Sequence, residues 1–303
     1  MSIQYREPDS MLLKVAEQIL QKGTLALCAV VPDVRRSYNR KTYACPIEQK
    51  YHADGPYDVG YVRMKNLHVF LPETGSDAPL PMVIMVNGTG LRALYYQPVF
   101  EHLASWGIIA VGNNDSNAWS GQSALQTLDA ALACHRQEGN VLFKRIDTAR
   151  IGIAGHSQGA LGAINAAAAN TQFKVLYAAS CPQPRLAKRL NWHCRMGDVR
   201  IPTLMACGTE QLERLIAPMD SMRSLAQQLP QDVPLVLGQL IGTEHRFVLH
   251  EGDAYMTAWF RYWLCGDTVA QAAFMGENAE MTRNPRWQQK DIIRRNLAEN
   301  ARK

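Results

Sequence analysis

The chain has 303 residues, 47% of them hydrophobic and 19% charged, which supplies a full apolar core and excludes a disordered polypeptide. The 32 basic against 27 acidic residues give a net charge of +5 with no basic run interleaved with aromatics, so no nucleic-acid partner is indicated. The seven cysteines stand singly, without a CxxC pair, which excludes a zinc ribbon or a thioredoxin-like motif and suits free thiols in a reducing compartment.

Residues 1–50 read as an N-terminal extension. Within it Asp9 and Ser10 are placed to cap a helix over residues 11–22 that stops at Gly23. Lys14, Glu17 and Lys22 interrupt its apolar character, so it makes a poor export signal. The apolar run 24–31 is too short to cross a bilayer, and Leu27 is bulky where a lipoprotein signal before Cys28 wants a small residue. The expectation is a cytoplasmic protein without an integral membrane segment.

From about Gly55 the pattern becomes strand and turn. Residues 61–71 read as one strand and 72–81 as a loop. Residues 82–86 form a short apolar run suited to a strand buried on both faces. A helix over 98–106 ends at Gly107, a strand covers 108–111, and a helix covers 123–135. Strand 150–154 precedes a helix of small residues over 159–169, and strands follow at 175–179 and 203–207. Helix 221–229, strand 235–240 and helix 254–264 complete the alternation. The polar tail after Gly276 reads as helical over 288–301. Strands alternating with helices predict an α/β fold, a mostly parallel sheet with helices on both faces, as one catalytic domain over 51–275 and a helical tail over 276–303 packed on it.

The chemistry is signalled at Gly155-His156-Ser157-Gln158-Gly159. The pentapeptide alone is weak, but it joins a predicted strand to a predicted helix, the context that a nucleophile elbow requires. The serine of such an elbow sits in a tight turn, so its neighbours two positions away must be small, as Gly155 and Gly159 are. The helix start adds positive potential for a developing oxyanion. Two backbone donors are needed there. Gln158, after the nucleophile, is one; Thr89, in the Asn87-Gly88-Thr89-Gly90 loop after strand 82–86, is the other.

Of the eight histidines, His245 in Gly242-Thr243-Glu244-His245 stands after the last strand of the alternation, where a base reaches the serine hydroxyl. His156 adjoins the serine, but its side chain points elsewhere on an elbow. The acid is expected after strand 203–207, in a loop holding Glu210 and Glu213. Counting from the strand favours Glu210; counting back from Ala217-Pro218 favours Glu213. Glu210 is slightly preferred, and Asp220 is assigned to the start of the next helix.

With these residues in place, the chain resembles the dienelactone-hydrolase and polyester-hydrolase (cutinase-like) branch of the α/β-hydrolase fold. The resemblance is carried by Gly55-Pro56-Tyr57, Val86-Asn87-Gly88-Thr89-Gly90, the segment 103–111 and Gly155-His156-Ser157-Gln158-Gly159. Segment 202–207, Ile216-Ala217-Pro218 and Gly242-Thr243-Glu244-His245 complete it, in the family's order over residues 55–275. It implies a serine hydrolase with Ser157 as nucleophile, His245 as base, oxyanion amides at Thr89 and Gln158, and no cofactor or metal. The family commonly has an aspartate in the acid loop, where this chain has glutamates and a short insertion.

The reaction expected is hydrolysis of a small-molecule or lipid carboxylic ester through an acyl-enzyme. An acyltransferase or a lipase would use the same triad. For a lipase, Leu91, Leu94, Tyr95, Trp119 and Trp192 are candidates to line an acyl pocket, with burial in the core as their other reading. A silent binding protein on this fold would lack the nucleophile or the base, and both are present.

Overall fold

The computed structural model describes residues 45–293, together with Lys14 and Tyr43. The helix expected over 11–22, the apolar run 24–31, Cys28 and the tail beyond 293 lie outside the described residues.

Among the described residues nine strands form one sheet in the order β1-β2-β4-β3-β5-β6-β7-β8-β9. The first five are β1 (Val59–Met64), β2 (Leu67–Pro72), β3 (Leu80–Val86), β4 (Ile109–Asn113) and β5 (Ile146–His156). β6 (Phe173–Ala179), β7 (Thr203–Gly208), β8 (Leu235–Leu240) and β9 (Trp287–Ile293) follow. The six from β4 through β3, β5, β6 and β7 to β8 are parallel, and β1, β2 and β9 run antiparallel at the two edges. This is the mostly parallel α/β sheet that the alternation predicts.

The helices that matter here are α1 (Pro46–His52), α2 (Gln97–Ser105), α3 (Gln122–Arg136) and α4 (Gln158–Ala169). Further along come α5 (Pro184–Arg189), α6 (Gln211–Ile216), α7 (Met219–Ala226) and α8 (Asp253–Cys265). Side chains alternate along each strand, so one strand feeds two cores. Met82, Ile84 and Val86 of β3 enter the core roofed by α3, α4 and α7. Val83 and Met85 enter the opposite core, where Phe100 of α2 and Trp259 and Phe260 of α8 lie. α1 crosses the boundary expected at residue 50 and is part of this second core, with Tyr51 fully buried.

Two expected elements differ. The single strand over 61–71 is a hairpin: β1 and β2 pair antiparallel from Val59↔Pro72 to Met64↔Leu67, and Lys65 turns the chain at φ +51°. The turn carries no glycine, and apolar residues continue on both sides of it, so the break has no strong sequence signal.

The helix expected from residue 288 is instead β9, paired with β8 from Leu235↔Ile293 to Leu240↔Trp287. A strand with one open edge tolerates polar residues, and here the side-chain amides of Gln288 and Gln289 donate to Gln239 Oε1 at 2.9 and 3.2 Å.

Trp287 anchors that edge. Its ring is buried, and its indole N–H donates to Glu48 Oε1 at 3.1 Å, the same oxygen that meets Arg286 at 2.8 Å. Trp287→Ala is expected to cost about 4 kcal/mol and to lower the thermal midpoint by roughly 10 °C. Circular dichroism melting checks this, and an unchanged midpoint would remove β9 from the folded core.

Candidate active site

Strand β5 delivers His156 into a turn, and α4 starts two residues later. Ser157 between them has φ +57° and ψ −124°, a backbone conformation that costs a non-glycine residue of order 1–3 kcal/mol. Close packing holds it there. A Cβ on Gly155 would lie 2.0 Å from the Gly159 carbonyl oxygen, and one on Gly159 would lie 2.2 Å from that of Val86. Only glycine fits at either position, so the small residues of the pentapeptide follow from contact across the turn.

His245 lies in the turn His245–Phe247 that follows β8, and its Nε2 is 2.9 Å from Ser157 Oγ. Its Nδ1 hydrogen-bonds to Glu213 Oε2. Glu213 is fully buried, and its other oxygen accepts from the Ser180 hydroxyl at 2.7 Å and from the Gly208 N–H at 2.9 Å. Three donors around one carboxylate fix its orientation.

The acid preferred from sequence, Glu210, does not meet the histidine, and this is a correction. Glu210 is the residue before α6; its backbone N–H donates to Thr243 O at 3.2 Å, and its half-buried carboxylate accepts from the Thr209 hydroxyl. The inserted residues wind into α6 rather than continuing outward. Three residues on, one turn of helix later, Glu213 returns over the end of β7 and enters the interior.

Thr89 and Gln158 occupy the expected places, after β3 and at the first residue of α4. The early N–H groups of a helix have no acceptor within it, so the Gln158 amide is directed outward past Ser157. The Gln158 side chain instead takes the Ala118 N–H at 2.7 Å, which pins the loop after β4. In the Thr89 loop, Asn87 Nδ2 donates to the carbonyls of Asn113 and Asp115, both at 2.8 Å, and Gly88 O accepts from Leu91 N–H at 3.1 Å.

The residues considered for an acyl pocket differ in burial. Leu91 is buried in the second core, Leu94 is exposed, and Tyr95, Trp119 and Trp192 are half-buried. The Trp119 carbonyl is held by Asn165, two turns along α4 from Ser157, and its ring meets that of His193 edge-on at 5.8 Å between centroids. Sequence reasoning also missed Ser180, whose φ of +55° aims its hydroxyl at Glu213, and Tyr96, which reaches His156. A single serine or tyrosine carries no local signal; only the crossing of distant segments brings them here.

Electrostatics around the site have a consequence for stability. Burial holds His250 down to about 4, and burial with the adjacent His245 holds His156 well below the ordinary histidine range. His68 is lowered as well, again by burial first. His102 moves the other way: burial lowers it, but hydrogen bonding to Asp54 and to the Tyr51 carbonyl outweighs that, and it is raised. Groups lowered in the fold bind protons more readily in the unfolded chain, so their contribution is complete above about pH 6.5 and is lost as pH falls below it. For His250 alone the loss amounts to about 2 kcal/mol by pH 5. The thermal midpoint should therefore fall between pH 7.5 and pH 5; a flat or rising midpoint would contradict neutral burial of these imidazoles.

Among the described residues no helix is long and apolar enough to cross a membrane, and no group of three or more metal-ligating side chains converges. In comparisons with known proteins, residues 69–291 match the PETase family, described as PET hydrolase-like. No curated protein matches the chain.

Proposed function

The chain belongs to the PET hydrolase-like family of ester hydrolases, and we propose that it cleaves carboxylic esters through an acyl-enzyme on Ser157. The observation that carries this reading is the continuous buried hydrogen-bond chain from Ser157 Oγ through the His245 ring to Glu213.

In that reading Ser157 Oγ attacks the ester carbonyl carbon while its proton passes to His245 Nε2. The carbonyl oxygen becomes an oxyanion held by the backbone amides of Thr89 and Gln158, with the α4 N-terminus adding positive potential. Collapse of the intermediate breaks the bond to the alcohol oxygen, and His245 gives that oxygen the proton. Water then attacks the acyl group, again losing a proton to His245, and Ser157 leaves with it as the acid is released. Glu213 fixes the proton on Nδ1 and stabilises the imidazolium in both steps.

The test is a series of p-nitrophenyl esters of increasing acyl length, followed for release of both acid and p-nitrophenol. Turnover with a pre-steady-state burst of p-nitrophenol at slow deacylation supports the reading. Failure to hydrolyse every ester in the series would sink it.

A further inference from the structure

Two histidine rings lie side by side at the site, 4.9 Å between centroids, and the mechanism uses only His245. His156 is buried, and its partners determine where its protons are. Nε2 is 2.8 Å from the His245 carbonyl oxygen, which only accepts, so Nε2 carries the hydrogen. Burial keeps the ring neutral, which leaves Nδ1 as a lone pair. The Tyr96 hydroxyl, 3.0 Å away, donates to it. Having used its proton, the Tyr96 oxygen accepts from the Gly88 N–H at 2.9 Å. The chain of bonds therefore has one direction throughout: Gly88 N–H to Tyr96, Tyr96 O–H to His156 Nδ1, His156 Nε2–H to the carbonyl of His245.

Its two ends are places where the reaction needs ångström-level control. Gly88 precedes Thr89, and the Gly88–Thr89 peptide is already gripped at its carbonyl by Leu91 N–H, 3.1 Å away. In a trans peptide the Thr89 N–H then points to the opposite side. The other end is the backbone of the base itself. Building on the serine mechanism above, we propose that Tyr96 and His156 are positioning residues that lock the oxyanion loop and the base loop to each other through the residue next to the nucleophile. Neither touches the substrate. Their role is to keep the Thr89 amide and the His245 ring in register with Ser157 as charge develops between them.

Tyr96→Phe removes one oxygen and keeps the ring in its packing. It is expected to lower kcat for p-nitrophenyl butyrate by about tenfold to a hundredfold, the scale of a misplacement of about 1 Å, with KM changed by less than about twofold. The rate of Ser157 modification by a fluorophosphonate should fall in the same proportion, because it needs the same oxyanion geometry. A purely structural role would move the melting midpoint and leave kcat of the folded enzyme unchanged.

The two halves of the imidazole separate by substitution. His156→Asn places an acceptor near the Nδ1 position, and His156→Gln reaches the His245 carbonyl with an amide donor. Each should recover part of the turnover lost in His156→Ala. Once Gln has cut the Tyr96 link, adding Tyr96→Phe should cost little more. Near-normal kcat in Tyr96→Phe, or losses that multiply in the double variant, would overturn the proposal, and this holds even if His156→Ala fails to fold. Such a result would leave the triad standing if Ser157→Ala is still inactive; activity in Ser157→Ala would instead remove the mechanism on which the proposal rests.

Discussion

Ser157→Ala is expected to lower ester turnover by about 10⁶-fold, the scale seen when the nucleophile of a serine triad is removed. The hydroxyl is the atom that bonds to the substrate, and its oxygen lies 2.9 Å from His245 Nε2. The substitution removes no packing that the fold depends on. Ser157 N–H still donates to Ala179 O at 2.9 Å, and the backbone at φ +57° is held by Gly155 and Gly159 on either side. The thermal midpoint should therefore shift by no more than about 2 °C, within the range of substitutions that break no packing, cap or buried bond. Steady-state turnover of a p-nitrophenyl ester, measured with the midpoint on the same preparation, reads both effects. Residual turnover within tenfold of the unaltered enzyme would require another nucleophile.

Glu213→Gln is expected to lower kcat by about 10⁴-fold, and the reason is tautomeric. The Ser180 hydroxyl and the Gly208 N–H both donate to Oε1, so a glutamine must place its amide oxygen there. Its NH₂ then faces His245 Nδ1. A donor at that place selects the tautomer with a lone pair on Nδ1 and the proton on Nε2, and an imidazole in that form cannot accept the Ser157 proton. Glu210→Gln changes a half-buried carboxylate beside Thr209 and is expected to alter kcat by less than about threefold, as for a substitution outside the reacting groups. Comparing kcat for the two variants decides between the carboxylates, and the reverse ranking would return the role to Glu210.

Much of this arrangement is legible in the sequence, for physical reasons. The elbow can be read because the turn permits only glycine at 155 and 159, so steric necessity leaves a mark in the chain. The parallel core can be read because strands such as β8 are largely apolar and buried on both faces, and the expected bounds of β8 coincide with those observed. His245 can be read because its loop follows the last parallel strand. The acid was harder. Choosing between Glu210 and Glu213 requires knowing that the insertion forms a helix, and α6 is only six residues long, too short to show a period. β9 was missed because an edge strand needs apolar residues on one face at most, so its glutamines and lysine read as a solvated helix. The Tyr96–His156 link spans 60 residues and cannot be seen in local pattern at all.

The most direct test of the central claim is to locate the nucleophile by covalent capture. The enzyme is incubated with a fluorophosphonate, digested, and the modified peptide is sequenced by mass spectrometry. The account predicts one phosphonyl group per chain, on Ser157, formed in the unaltered enzyme and lost in Ser157→Ala. A stoichiometric adduct on a different residue, or ester turnover that persists undiminished after Ser157 is fully modified, would contradict it.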